Sequence, residues 1–325
     1  MNFWEAQKRA RSRTSLYVFL FIMLTAATAL MSEIAMRKFA GESYEPQFPF
    51  LGIAFAGITF AVAGFQYLQY RTFGGSYVAE SVGAHRVDSR TTNPKNRQLL
   101  NIVEEIATAS SLPIPPVYIL ETPQINAFAA GLTIHDAAVT VTRGCLDLLN
   151  RDELQGVVAH EFGHIYNGDM KISLRLAAMV MGFFFVFYIA MRLLQFSPRN
   201  DDNRGGRGGG NPVLIAALIL FIAGTFTWLF GSILKASVSR EREYLADACA
   251  VQFTRNPDGI ANALIKIGKS DTNSMPKEGM AFSHLYIDDR AGLSALFSTH
   301  PPLKKRIEAI KGQTYMPEEW KTPSS

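Results

Sequence analysis

Four stretches of the 325-residue chain carry almost no charge and are rich in Leu, Ile, Val, Phe and Ala, at about 16–34, 48–70, 175–194 and 213–234. At about 1.5 Å rise per residue, each approaches or exceeds what a ~30 Å hydrocarbon core requires. Inside lipid the backbone must satisfy its own hydrogen bonds, so each such run has to be helical. The pattern therefore predicts a mainly α integral membrane protein with two transmembrane hairpins. The first run follows a basic tail containing Lys8, Arg9, Arg11 and Arg13. A secretory signal has a similar beginning, but this run is longer than most signal cores and lacks a clear small-residue cleavage site. A retained span is the better reading.

The composition agrees: 48% of residues are hydrophobic and only 18% charged. A net charge of +4 could suggest nucleic acid. The basic residues instead gather beside the apolar runs, where they set topology, so no nucleic-acid partner is expected. Arg71, Lys171, Arg175, Lys235, Arg240 and Arg242 border the runs on the polar-domain side, and the intervening loops hold fewer. The positive-inside rule then puts both termini and the polar regions in the cytoplasm. The two cysteines, Cys145 and Cys249, are far apart and suggest neither a disulfide framework nor a cysteine metal site.

The expected organisation has four parts. Residues 1–70 form the tail and first hairpin, and 71–172 the first polar part. Residues 173–237 form the second hairpin with a Gly- and Arg-rich linker at 197–212, and 238–325 the second polar part. In the first polar part, Leu99, Leu100, Ile102, Val103, Ile106 and Ala107 recur at helical spacing and predict a helix ending near Ser110 and Ser111. Short strands are expected at 117–120 and 137–142. Asn150 with Glu153 three residues on resembles a capping box, and Asn167-Gly168-Asp169 a helix stop. His85 and His135 read as loop residues and His284 as structural.

The helix so bounded contains His160-Glu161-Phe162-Gly163-His164. Positions i and i+4 share a helix face, so His160 and His164 can offer two imidazoles to one metal ion. Glu161 lies about a quarter-turn away, where its carboxylate can serve as a general base. This is the arrangement of a zinc hydrolase. Such a site needs a third protein ligand. Glu243 and Asp247, spaced i, i+4 just after the fourth apolar run, are candidates; from spacing alone either could be the ligand. An even number of crossings separates them from His164, so both segments lie on one membrane face.

Together with Arg242-Glu243-x-x-Ala246-Asp247, Ser298-Thr299-His300-Pro301-Pro302 and Asn126-Ala127-Phe128-Ala129-x-Gly131, in this order, the chain resembles the HtpX-like membrane metalloproteases. That family also includes the CAAX prenyl proteases, and the resemblance covers nearly the whole chain. It implies a cytoplasmic α+β, zincin-like metalloprotease domain beside the four spans. It also implies one Zn2+ held by His160, His164 and Glu243, with Glu161 as general base. Asp247 would orient a ligand histidine, Arg306 would pair with Asp247, His300 would stabilise the oxyanion, and Asn126, Ala127 and Phe128 would belong to the substrate-binding strand. The implied substrates are proteins or peptides, misfolded membrane proteins among them, and the location a bacterial inner membrane. A CAAX-type processing peptidase is the alternative within the family, although four spans are fewer than that branch suggests. An intramembrane-cleaving protease is disfavoured by the polar residues flanking the motif helix. A non-catalytic membrane scaffold would be expected to lose Glu161 or a ligand, and none is lost.

Overall fold

The structure is a computed structural model, described here for residues 3–196, 211–269 and 302–312. Most of the 197–212 linker, and His284 and His300, lie outside the described residues. The chain divides into two compact units, one of residues 1–68 and 175–234, the other of 69–174 and 235–325.

Four helical stretches among the described residues are long and apolar enough to cross a bilayer: Leu16–Ser43, Phe50–Ser81, Asp169–Phe196 and Pro212–Ile233. They belong to helices α1 (Phe3–Ala40) and α2 (Phe50–Ser81), and to two later helices that begin at Asp169 and Pro212. In the first unit, Phe21, Met36, Phe55, Phe183, Val186 and Leu220 share one buried cluster. Many of the remaining apolar side chains, such as Leu30, Ile53, Phe65 and Ile222, face outward. That is the inverse of a water-soluble surface, as lipid-facing helices require. The turn of the first hairpin is held by a buried carboxylate. Glu33 of α1 accepts hydrogen bonds from the Leu51 and Gly52 N–H groups, the Tyr44 hydroxyl and the Arg37 guanidinium. The first N–H groups of a helix have no partner within it, so Glu33 supplies from α1 the cap that α2 lacks.

The second unit takes up the end of α2, which breaks at Gly74 (φ 63°, ψ −155°). A left-handed φ favours glycine there. The next residue, Gly75, donates its N–H to the Asp136 carbonyl at 2.8 Å. A four-stranded sheet follows, formed by β1 (His85–Arg86), β2 (Val117–Leu120), β3 (Ala127–Ala130) and β4 (Ala138–Thr142), in the order β1-β2-β4-β3. Only β2 and β4 are parallel. His85 is thus in a strand rather than a loop, with Nε2 3.4 Å from Glu121.

Helix α3 (Pro94–Ser110) is the helix expected from the Leu/Ile spacing. Asn93 caps its N-terminus and Ser111 ends it in a left-handed conformation. Helices α4 (Arg143–Leu148) and α5 (Arg151–Asn167) come next. The Asn150–Glu153 capping box is formed in both directions, and Gly168 closes α5 in a left-handed conformation. Helix α6 (Asp169–Phe196) starts at once, and α7 (Pro212–Thr254), α8 (Pro257–Lys269) and α9 (Leu303–Lys311) complete the described chain. The unit's core joins Leu99, Ile102 and Ile106 of α3 with Val139 and Val141 of β4, Val157, Val158 and Phe162 of α5, and Ile260 and Leu264 of α8. Each such side chain, fully buried, contributes about 1.5–3 kcal/mol of transfer free energy. The result clamps α5 between the sheet and α8. Lys266 of α8 adds a 2.7 Å contact to Glu153 at the start of α5.

Candidate metal centre

Helix α5 carries His160 and Glu161 into the middle of this core, where both are buried, and His164 at its partly open end. Burying such groups costs several kcal/mol unless each is met by a partner. The partners come from β3, α6, α7 and α9.

His160 and His164 stand one turn apart with ring centroids 4.8 Å from each other. Glu243 of α7 faces both: its carboxylate oxygens lie 3.6 Å from His160 Nε2 and 3.5 Å from His164 Nε2. One donor atom from each of the three residues falls within 4.8 Å of the others. This close approach of α7 depends on the residue just before the motif's second His. A Cβ on Gly163 would meet Ala246 Cα at 2.9 Å and Cys249 Cβ at 3.1 Å. One heptad earlier, a Cβ on Gly156 would meet the Ile260 nitrogen of α8 at 2.5 Å.

Asp247, one turn after Glu243, lies 2.9 Å from His160 Nδ1. It also makes a two-pronged pair with Arg306 of α9, at 2.9 and 2.7 Å. Arg306 is fully buried and its other terminal nitrogen sits 3.1 Å from Glu243. Burial pushes the Asp247 carboxyl upward, but the Arg306 charge and the hydrogen bonds from Arg306 and His160 outweigh it and hold the pKa down to about 2. On the other side, His164 Nδ1 lies 3.3 Å from Asp169 Oδ2. Asp169 Oδ1 is in turn 3.4 Å from Arg242 Nε. Desolvation alone would lower both histidines; the carboxylates around them more than reverse that, and His164 is held well above its ordinary value. Burial drives Glu161 the other way, upward, partly opposed by the two histidines and by the Ala129 N–H of β3.

The donors suit a divalent cation on two counts. An ionised carboxylate can only accept, so Asp247 and Asp169 fix the proton of each imidazole on Nδ1. With the imidazoles neutral, each Nε2 lone pair then faces a Glu243 oxygen, and a shared cation satisfies both acceptors. Charge points the same way. Glu161, Glu243, Asp247 and Asp169 bring four carboxylates against the two guanidiniums of Arg242 and Arg306. With neutral histidines two negative charges are left, which a dication balances.

Among the expected residues, then, the structure brings His160, His164, Glu243, Asp247 and Arg306 together around Glu161. Strand β3 packs against α5 with Ala127 and Ala129 in the core, and Asn126 just before it is also buried. The contacts of Asp169 and Arg242 are not evident from the sequence. Asp169 follows a glycine stop and reads as punctuation, and Arg242 reads as a charge at the end of a span. His164 and Asp169, five residues apart across a helix break, have no standard spacing that would flag them.

Two histidines at i, i+4, a carboxylate from a second helix, and four membrane-length apolar helices define a membrane-bound metallopeptidase. The sequence profile of Peptidase family M48 matches residues 93–314, and the chain belongs to that family. It is 37% identical over 266 residues to a Protease HtpX homolog of Streptococcus equi subsp. equi (strain 4047), covering 80% of this chain and 86% of the relative. With the Protease HtpX homolog of Streptococcus uberis the identity is 33% over 316 residues, covering 96% and 99%. The chain is therefore an HtpX-like metalloprotease and a multi-pass integral membrane protein. The crystal structure of S. mikatae Ste24p superposes with a TM-score of 0.46 at 16% identity, covering 94% of this chain and 66% of that one.

Proposed function

We propose that the chain is a zinc-dependent endopeptidase that removes misfolded or damaged membrane proteins, with its active site at the cytoplasmic face of a bacterial inner membrane. The observation that carries the proposal is the convergence of His160, His164 and Glu243 donor atoms within 4.8 Å. These three residues would hold the zinc. Bound there, zinc supplies acidification of a water molecule and polarisation of the scissile carbonyl. Glu161 accepts the proton of the attacking water and passes it to the leaving amine; its raised pKa suits a group that must both take and release a proton. Asp247, backed by Arg306, keeps the His160 proton on Nδ1. His300 donates a hydrogen bond to the developing oxyanion, an interaction often worth about 3 kcal/mol. The peptide pairs by its backbone with the strand that follows Asn126, beside Ala127 and Phe128, so sequence preference is slight. Those residues are buried, so their edge has to be uncovered as the peptide arrives. Residues 71–172 and 238–325 form the catalytic domain, each preceded by a transmembrane hairpin.

Replacing Glu161 by Gln in the purified protein is expected to leave zinc bound while peptide cleavage disappears. Glu243→Ala is expected to lose the metal. His300→Ala should keep zinc but lower kcat by about 10²–10³. Full zinc affinity and activity in Glu243→Ala would refute the ligand assignment. Glu161→Gln used as a trap would capture substrates from membranes. Recovery of prenylated proteins rather than damaged membrane proteins would redirect the substrate assignment to CAAX processing.

A further inference from the structure

The two histidines are held by matching lines of charge. His160 Nδ1 meets Asp247 and Asp247 meets Arg306; His164 Nδ1 meets Asp169 and Asp169 meets Arg242. We propose that Asp169 and Arg242 are a second pair of positioning residues, through which one carboxylate sets both the His164 ring and the helix turn carrying Glu243. The inference rests on the ligand assignment proposed above.

Three features carry it. His164 is the more open histidine, its side chain 17% exposed against 1% for His160. Packing therefore does less to fix its ring, and the bond from Nδ1 does more. Asp169 uses its two oxygens on different elements: Oδ2 toward His164 on α5, Oδ1 toward Arg242 on α7. Arg242 is the residue immediately before Glu243, and its Nη1 also reaches the Asp169 carbonyl at 3.4 Å. Both charged side chains are largely buried, at 9% and 7% exposure. Desolvation cancels most of what such a pair could add to stability, so simple stabilisation is a poor account of its presence. Asp169 opens α6 and Arg242 follows the apolar stretch of α7. The pair thus ties the first residue of α6 to the turn of α7 that carries Glu243. Its contacts, at 3.3 and 3.4 Å, are longer than those of Asp247 and Arg306, so a milder effect is expected.

The test uses the full chain in detergent, stripped of metal and titrated with Zn2+ against a competing chelator, and with Co2+ read by its visible absorption bands. Asp169→Ala is expected to weaken Zn2+ binding about tenfold to a hundredfold and to shift the Co2+ bands. Arg242→Gln should weaken it less. The double variant should be no weaker than Asp169→Ala, because Arg242 acts through Asp169. Wild-type affinity and bands in Asp169→Ala, or losses that add in the double variant, overturn the proposal. If Asp169→Ala does not fold, Arg242→Gln decides: weaker binding supports the pair, and wild-type binding overturns it. Glu243→Ala separates the two levels. If it retains wild-type zinc binding, the ligand assignment itself fails. If it loses zinc while Asp169→Ala does not, only the positioning role fails.

Discussion

Asp247 shows how a single carboxylate can have a structural and a chemical duty at once. Its folded-state pKa of about 2 lies below the ordinary 3.8, so on acidification the unfolded chain binds this proton first. The stabilisation it gives is complete above about pH 4 and is lost as pH falls towards 2. The shift is equivalent to about 2 kcal/mol. In metal-free protein, Asp247→Asn is expected to abolish that part of the acid sensitivity. It should also cost about 3 kcal/mol at pH 7, because Arg306 is left buried with one partner fewer. Denaturant unfolding at pH 7 and pH 2.5 checks both. Equal acid sensitivity in wild type and variant would show that the Arg306 pairing is not what depresses this group. The Asp247–Arg306 bond also marks a limit of sequence reading. The two residues are 59 positions apart, and spacing alone leaves Asp247 interchangeable with Glu243. Only their different neighbours distinguish the carboxylate facing both Nε2 atoms from the one behind Nδ1.

At the scale of elements, α5 was the most legible part of the chain. Its capping box, its apolar spacing and its glycine stop all agree with where it begins and ends. Strand β3 was not legible in the same way. Its four residues are all buried, so they show no alternation of apolar and polar side chains. Alanine, moreover, has little preference for strands. Strand β1 is two residues long and owes its existence to pairing with β2. What the motif does not disclose is the demand at Gly163, written as a free position in the general His-Glu-x-x-His pattern. Gly163→Ala is expected to force α7 away from α5, costing about 1–3 kcal/mol and weakening zinc binding more than Ala substitution at an exposed α5 position such as Asp152. Metal titration beside thermal unfolding distinguishes the two losses. Unchanged zinc affinity would mean that α7 can shift without moving Glu243.

For the whole molecule, the four apolar runs sufficed to establish the membrane helices, because charge-free length is a strong signal. The way in which distant segments combine was less visible, since it depends on pairs such as Asp169–Arg242, 73 residues apart. A metal held by α5 and α7 would tie together stretches that are otherwise joined by packing, ion pairs and the Asn167–Cys249 hydrogen bond. At free zinc about 100 times Kd, the folded state gains about 2.7 kcal/mol. Chelation is therefore expected to raise amide exchange in α5 and the last turns of α7 far more than in the apolar stretches of α1 and α2. Exchange that rises uniformly, or not at all, would argue against a metal at this position.

The buried network around the centre draws on residues 160–169, 242–247 and 306, and this has a consequence for timing. A ribosome completes the motif helix long before it reaches Glu243, and Arg306 comes later still. A nascent chain that has passed His164 therefore holds both histidines and Glu161 but not the carboxylate of Glu243. Even after Glu243 emerges, Asp247 has no guanidinium to balance it until α9 is made. A metalloprotease whose centre closes only with α9 thus stays unassembled through most of its own synthesis.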